Sequence, residues 1–282
     1  MELVDIVAAG VILTLASMLQ SVVGFGYALF ATPLLVWLGL PLPGVITLVA
    51  TCSLLQALAG VRNLRTAVPW RLSLSATGVR LAGVIIGLLM LKRLVELEKD
   101  QIGAIIGVIL CGLVAVQLLW RPQPVRKLHP GWTGLAFTGS GVLGGLCGMG
   151  GPPLVLWAMA HDWPTQKIRG FLFATFATGI PIQIVLLTLT FGTPILWYAA
   201  IGIALLPLVY AGSAIGLPIG NRFAGPGLRR VAYAVLFATG VSAIVPVLTR
   251  DQDSRLSARH GPVTHPFACR RGNDPAPPDQ PW

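Results

Sequence analysis

The apolar runs constrain this chain more than any motif does. They cover about 3–23, 27–40, 45–61, 72–91, 101–120, 132–147, 152–160, 170–190, 195–220 and 231–248. All ten acidic residues, Glu2, Asp5, Glu96, Glu98, Asp100, Asp162, Asp251, Asp253, Asp274 and Asp279, fall at the ends of these runs, in loops or in the C-terminal tail. About 20 apolar residues in a helix cross the ~30 Å hydrocarbon core of a bilayer, and most of these runs are of that length. Of the 282 residues, 55% are hydrophobic and only 11% charged, with a mean hydropathy of +0.78. A soluble domain carries about twice that charged fraction. The chain therefore reads as an all-α polytopic membrane protein with the lipid bilayer as its surroundings. Its net charge of +10 does not point to nucleic acid, because the Lys and Arg residues sit in short clusters between apolar runs and in the tail, as membrane topology distributes them.

The first 61 residues contain neither Lys nor Arg. The basic segment of a secretory signal is thus missing, and the first span is expected to be retained. Cys52, Cys111, Cys147 and Cys269 are far apart and form no CxxC pair, so neither a metal site nor a cofactor is expected. His265 and Cys269 in the tail lack further partners for a metal.

Two runs, 27–40 and 152–160, are too short to span, and each follows a glycine cluster: GFGYALFATP at 24–33 and GMGGPP at 148–153. Irregular backbone survives at membrane depth only where it is buried in protein or lines a wet cavity, since an unpaired N–H or C=O in hydrocarbon is costly. Glycine permits the break, and Pro152 and Pro153 suit the first turn of a helix, where a missing N–H loses nothing. Each short helix would point its positive end toward the membrane interior, a device secondary transporters use to hold anions. Close helix packing through small residues is the plainer use of such glycines.

The two breaks belong to an internal repeat. Gly24, Gly26 and Thr51 recur as Gly148, Gly150 and Thr175, each 124 residues later, and Gly83, Gly87 and Arg93 recur as Gly212, Gly216 and Arg222, each 129 later. The expected organisation is a first membrane repeat (1–120), a cytoplasmic linker (121–131), a second repeat (132–248) and a disordered tail (249–282). Each repeat would hold a glycine-broken hairpin and three transmembrane helices. That odd number of remaining crossings inverts the halves. One face then receives Arg62, Arg65, Arg71, Arg121, Arg126, Lys127, Lys167, Arg169, Arg222, Arg229 and Arg230, and the other only Lys92, Arg93 and Lys99 among its loops. The positive-inside rule favours this arrangement over eight uninterrupted spans, which show no bias. It leaves Arg250, Arg255 and Arg259 of the tail on the outer side.

Ionisable residues narrow the substrate class. No carboxylate lies within a span, which disfavours cation coupling through Asp or Glu. Arg80 sits about nine residues into the 72–91 run, roughly 13 Å deep at 1.5 Å per residue. There it costs about 2.5–3.5 kcal/mol unless it meets water or a partner, and an anion would be one. Snorkelling of its long stem to the cytoplasmic surface is the alternative. Thr47, Thr51, Ser53 and Gln56 follow the first short helix, and Thr175, Thr178 and Gln183 follow the second. Their side chains either donate to an oxyanion or bond back to their own helix. The candidate substrate-binding residues are Gly24, Gly26, Thr51, Arg80, Gly148, Gly150, Gly151 and Thr175; no catalytic set is expected.

On GFGYALFATP, GMGGPP and the basic segments VRNLRTAVPWR and GNRFAGPGLRR, the chain resembles the sulfite exporter family called TauE/SafE over about residues 3–248. Tyr27 and Ala28 stand where that family often has glycine, and Arg80 matches none of its motifs. The resemblance implies a bacterial inner-membrane permease for small anions, often sulfur-containing ones such as sulfite or organosulfonates. The expected activity is secondary transport by alternating access, with an anion channel, or a permease for another small organic anion, as the alternative.

Overall fold

The computed structural model describes residues 3–23, 26–97, 99–119, 128–222, 234 and 236–241. Among them the regular elements are helices, and no strand is present. Helix α1 (Leu3–Val23) ends at the first glycine cluster and α2 (Tyr27–Trp37) begins beyond it. Helices α3 (Leu42–Asn63) and α4 (Trp70–Leu94) are joined through a 3-10 turn at Arg65–Ala67, and α5 (Lys99–Leu119) follows. The chain continues with α6 (Pro130–Cys147), α7 (Gly151–Met159), α8 (Thr165–Phe191), a second 3-10 turn at Thr193–Ile195, α9 (Leu196–Ala204) and α10 (Leu206–Arg222). Gly24, most of the expected linker and the whole tail lie outside the described residues.

Five of these helices are long and apolar enough to cross a membrane, and a sixth span results if the bent pair Thr193–Ala204 and Leu206–Gly216 counts as one. Leu89, Leu119 and Leu189 lie on the exterior at 63–86% exposure. An aqueous surface would not favour such a display, whereas hydrocarbon does. Both short helices are present, with 11 residues in α2 and nine in α7.

One further interruption was not among the expected breaks. The 195–220 run divides at Leu205 into two helices bent by 47°. Pro207 is the cause: it has no N–H to offer the carbonyl of Ile203, and its ring collides with that turn.

Two intimate helix crossings hold the bundle together, α4 against α6 and α1 against α10. In the first, a Cβ added to Gly83 would fall on the carbonyl oxygen of Thr138, one on Gly87 on that of Val142, and one on Gly141 on that of Arg80. In the second, Gly212 meets the carbonyl of Thr14, and a Cβ on Gly216 would stand 2.5 Å from that of Met18. Backbone therefore touches backbone at both crossings, which only glycine permits, and dispersion between the helices takes the place of a hydrophobic driving force. The crossings differ in detail. Ser17 Oγ donates to the Val209 carbonyl at 2.7 Å, and Ser21 and Ser213 share a hydrogen bond of 2.8 Å, so α1 adds hydroxyl bonds to its contact with α10.

Candidate functional site

The second break supplies the geometry. Helix α6 stops because Gly148 turns left-handed, with φ of 73°, a conformation that strains any residue bearing a Cβ. The Gly148 N–H still reaches the Gly144 carbonyl, and Met149 N–H reaches that of Leu143, both at 3.1 Å. Helix α7 then starts at Gly151 with Pro152 and Pro153 in its first turn and no side-chain cap. Its N-terminal end carries roughly half a positive charge. Ser140, one helical stretch earlier on α6, donates its hydroxyl hydrogen to the Gly150 carbonyl and ties the two sides of the break together.

Arg80 enters this break from α4. It is only 3% exposed, so its guanidinium is held inside the protein and does not snorkel to the surface. Its Nε donates to Ser140 Oγ at 3.2 Å and its Nη2 to Gln183 Oε1 at 3.5 Å, while Gln183 Nε2 donates to the Gly144 carbonyl at 2.8 Å. Three glycines make room for it. A Cβ on Gly144 or Gly150 would stand 3.0 or 3.1 Å from Nη2, and one on Gly179 would stand 2.7 Å from Nη1. The Phe176 ring lies 5.4 Å from the guanidinium carbon, close enough for a cation–π attraction. All of these partners are uncharged. Among the described residues the ion pair is Arg93 with Glu96 at the surface, 3.8 Å apart, and no carboxylate compensates Arg80. A buried cation with only dipoles around it is poised to attract an anion.

The other candidates divide by position. Gly150 joins Arg80 directly, and Gly151 and Gly148 flank the same break. Thr175 lies one turn away along the α4–α8 contact, where Thr77 Oγ1 is 3.5 Å from its carbonyl. Its own hydroxyl donates to the Phe171 carbonyl at 2.8 Å. Thr51 sits against α9, with its hydroxyl bonded to the Thr47 carbonyl at 2.8 Å. Both threonine hydrogens are thus committed to their own helices. Gly26 forms the first break, with φ of 106°, and its nearest neighbour for an added Cβ is Leu236 at 3.7 Å. Near it Tyr27 is buried beside Cys52.

Ser140, Gly144 and Gly179 were not singled out from the sequence. The signal for Ser140 is its place in GSG, the one serine of a six-glycine helix whose Gly141 and Gly145 lie against the backbone of α4. Gln183 belonged to the polar set, though nothing local linked it to Arg80. A separate cavity of about 350 Å³ is lined by Thr66, Val68, Pro69, Pro164 and Lys167, whose ammonium lies 4.6 Å from the Trp163 ring. Arg169 is exposed close by in sequence.

Similarity to known proteins agrees with this architecture. The chain is 26% identical over 238 residues to a protein of Cupriavidus necator named a probable sulfite/organosulfonate exporter TauE, covering 82% of this chain and 90% of that one. No solved structure matches. The family model described as sulfite exporter TauE/SafE matches residues 9–243, which takes in both helix breaks and both crossings. This multi-pass membrane protein belongs to the sulfite exporter TauE/SafE family.

Proposed function

We propose that the chain is a secondary transporter for a small sulfur-containing anion, sulfite or an organosulfonate, working in a bacterial inner membrane by alternating access. The observation that carries the reading is Arg80: a buried guanidinium at a helix break, packed by Gly144, Gly150 and Gly179 and without a carboxylate partner. The anion would lie against Arg80 and the N-terminal end of α7, with Gly148, Gly150 and Gly151 keeping the backbone close. Gly24 and Gly26 would open the corresponding break of the other half. Thr51 and Thr175 would line the path, their hydroxyls leaving their helix carbonyls before they could donate to an anion.

Alternating access needs two halves that can exchange roles, and we read residues 1–120 and 132–248 as inverted copies. Support comes from the crossings. Gly83 meets Thr138 where Gly212 meets Thr14, and Gly87 meets Val142 where Gly216 meets Met18. The glycines are 129 apart and their partners 124 apart in both cases, the two offsets of the sequence repeat. Such inverted pairs place the binding site near the midplane.

Counterflow in liposomes tests the reading. Purified protein should exchange labelled sulfite or an organosulfonate, with flux stimulated by unlabelled anion on the opposite side. Flux without that stimulation would mean a channel-like pore. No movement of any sulfur anion would overturn the proposal.

A further inference from the structure

We propose that the site takes its anion singly charged: bisulfite or an organosulfonate whose net charge is −1, and not the dianions sulfite or sulfate. The inference rests on the reading of Arg80 as the anion's partner. Among the described residues Arg80 is the one charged side chain in the buried set; its buried companions are Ser, Thr and Gln. The other Lys and Arg residues whose side chains are described are elsewhere. Arg62, Arg65, Arg71, Lys92, Arg93 and Arg169 are exposed, and Lys167 rests on the Trp163 ring.

One guanidinium neutralises one negative charge. A second negative charge on the same ligand would be left in a low-dielectric site, where an uncompensated charge is strongly disfavoured. The neutral dipoles do not make up the difference. Ser140 already gives its hydrogen to the Gly150 carbonyl, and Gln183 gives an amide hydrogen to the Gly144 carbonyl. The α7 end offers only a partial charge, and two of its first residues, Pro152 and Pro153, have no N–H to donate. A sulfonate group matches what remains: one delocalised charge over three oxygens, facing a planar fork of donors.

This makes the substrate's own protonation visible in transport. Bisulfite loses its proton near neutral pH, whereas an alkylsulfonate stays a monoanion and sulfate a dianion throughout, and the guanidinium stays charged. The experiment uses the full chain in liposomes loaded with labelled methanesulfonate. Competition by unlabelled methanesulfonate, sulfite and sulfate is measured at pH 6, 7 and 8.5, together with direct sulfite flux. Methanesulfonate should compete equally at each pH, within about twofold. Competition and flux by total sulfite should weaken by roughly tenfold per pH unit on the alkaline side, tracking the bisulfite fraction. Sulfate should compete at least about a hundredfold more weakly than methanesulfonate, a loss of about 2.7 kcal/mol. Sulfate competing within tenfold of methanesulfonate, or sulfite improving as pH rises, overturns charge selection while leaving the transporter reading intact. Absence of binding and flux for all three anions removes the transporter reading, and this inference with it.

Discussion

The α4–α6 crossing and the α1–α10 crossing solve one packing problem with different chemistry. Each brings two helix backbones into contact through glycines, from both helices in the first and from α10 in the second, and each lies beside a glycine break. Yet, among the described residues, the first encloses a cation and the second does not. Counting by the repeat offsets, Arg80 corresponds to Val209, Ser140 to Ala16 and Gln183 to Ala59, so every polar member of the cradle has an apolar counterpart. Helix continuity also differs: α4 runs unbroken through Arg80, whereas its counterpart is bent by 47° at Leu205, next to Pro207. On the proposed reading of the two halves as copies, the backbone contacts are kept while one half is specialised. Packing glycines are held by sterics that act at both crossings. A buried charge, which carries a desolvation cost each time it occurs, is present once among the described residues.

The largest effect should come from removing that charge. Arg80→Gln is expected to lower sulfur-anion flux by about a hundredfold, since a charge-assisted hydrogen bond contributes about 1.5–3 kcal/mol and the Coulomb attraction is lost with it. Val209→Ala at the counterpart should change flux by less than about threefold, the rest of its cost appearing as stability. Flux measured per folded molecule checks both. Equal losses at the two positions would show that the halves share the site.

Next come the crossings, where the comparison predicts sameness. Gly83→Ala and Gly212→Ala each push a methyl group into a backbone carbonyl, of Thr138 and Thr14 respectively. Each should destabilise the fold by about 1–3 kcal/mol through overpacking, and thermal unfolding in detergent should shift by similar amounts. A large inequality would break the equivalence of the two helix pairs.

The glycine breaks should separate stability from transport. Gly26→Ala forces a Cβ into the left-handed region with only an ordinary contact to Leu236 at 3.7 Å, at about 1–3 kcal/mol of strain. It should lower the unfolding temperature with little change in anion affinity. At Gly150 the added methyl would meet the Ser140 carbonyl at 2.5 Å and Arg80 Nη2 at 3.1 Å. Gly150→Ala should therefore weaken apparent affinity by about tenfold, as displacement of the guanidinium costs roughly one charge-assisted contact.

These asymmetries mark how far the sequence is legible. Both short helices and the long spans follow from apolar length and glycine clusters, because in hydrocarbon the backbone has few alternatives to helix. The break at Leu205 escaped that pattern: its neighbours are all apolar, and Pro207 alone signals it. Arg80 stood out as a charge within a span. Its partners did not, because Ser140 and Gln183 are 60 and 103 residues away and meet it only through helix packing. Local periodicity carries no information about which glycine a distant side chain will rest against.

The smallest expected effect falls on two residues that the repeat itself brings forward. Thr51 and Thr175 are 124 residues apart, and in each half the hydroxyl bonds the carbonyl four residues earlier at 2.8 Å. Valine preserves the shape and removes only that intrahelical bond, which contributes little because the carbonyl already accepts from the backbone. Thr51→Val and Thr175→Val should each alter flux by less than about threefold, a difference under 0.7 kcal/mol. A tenfold loss for Thr175→Val alone would extend the specialised half one turn beyond Arg80, toward Thr77 and Thr178. Tenfold losses for both would instead restore the two halves as equal contributors to the anion path, and would mean that these hydroxyls turn away from their helices when substrate arrives.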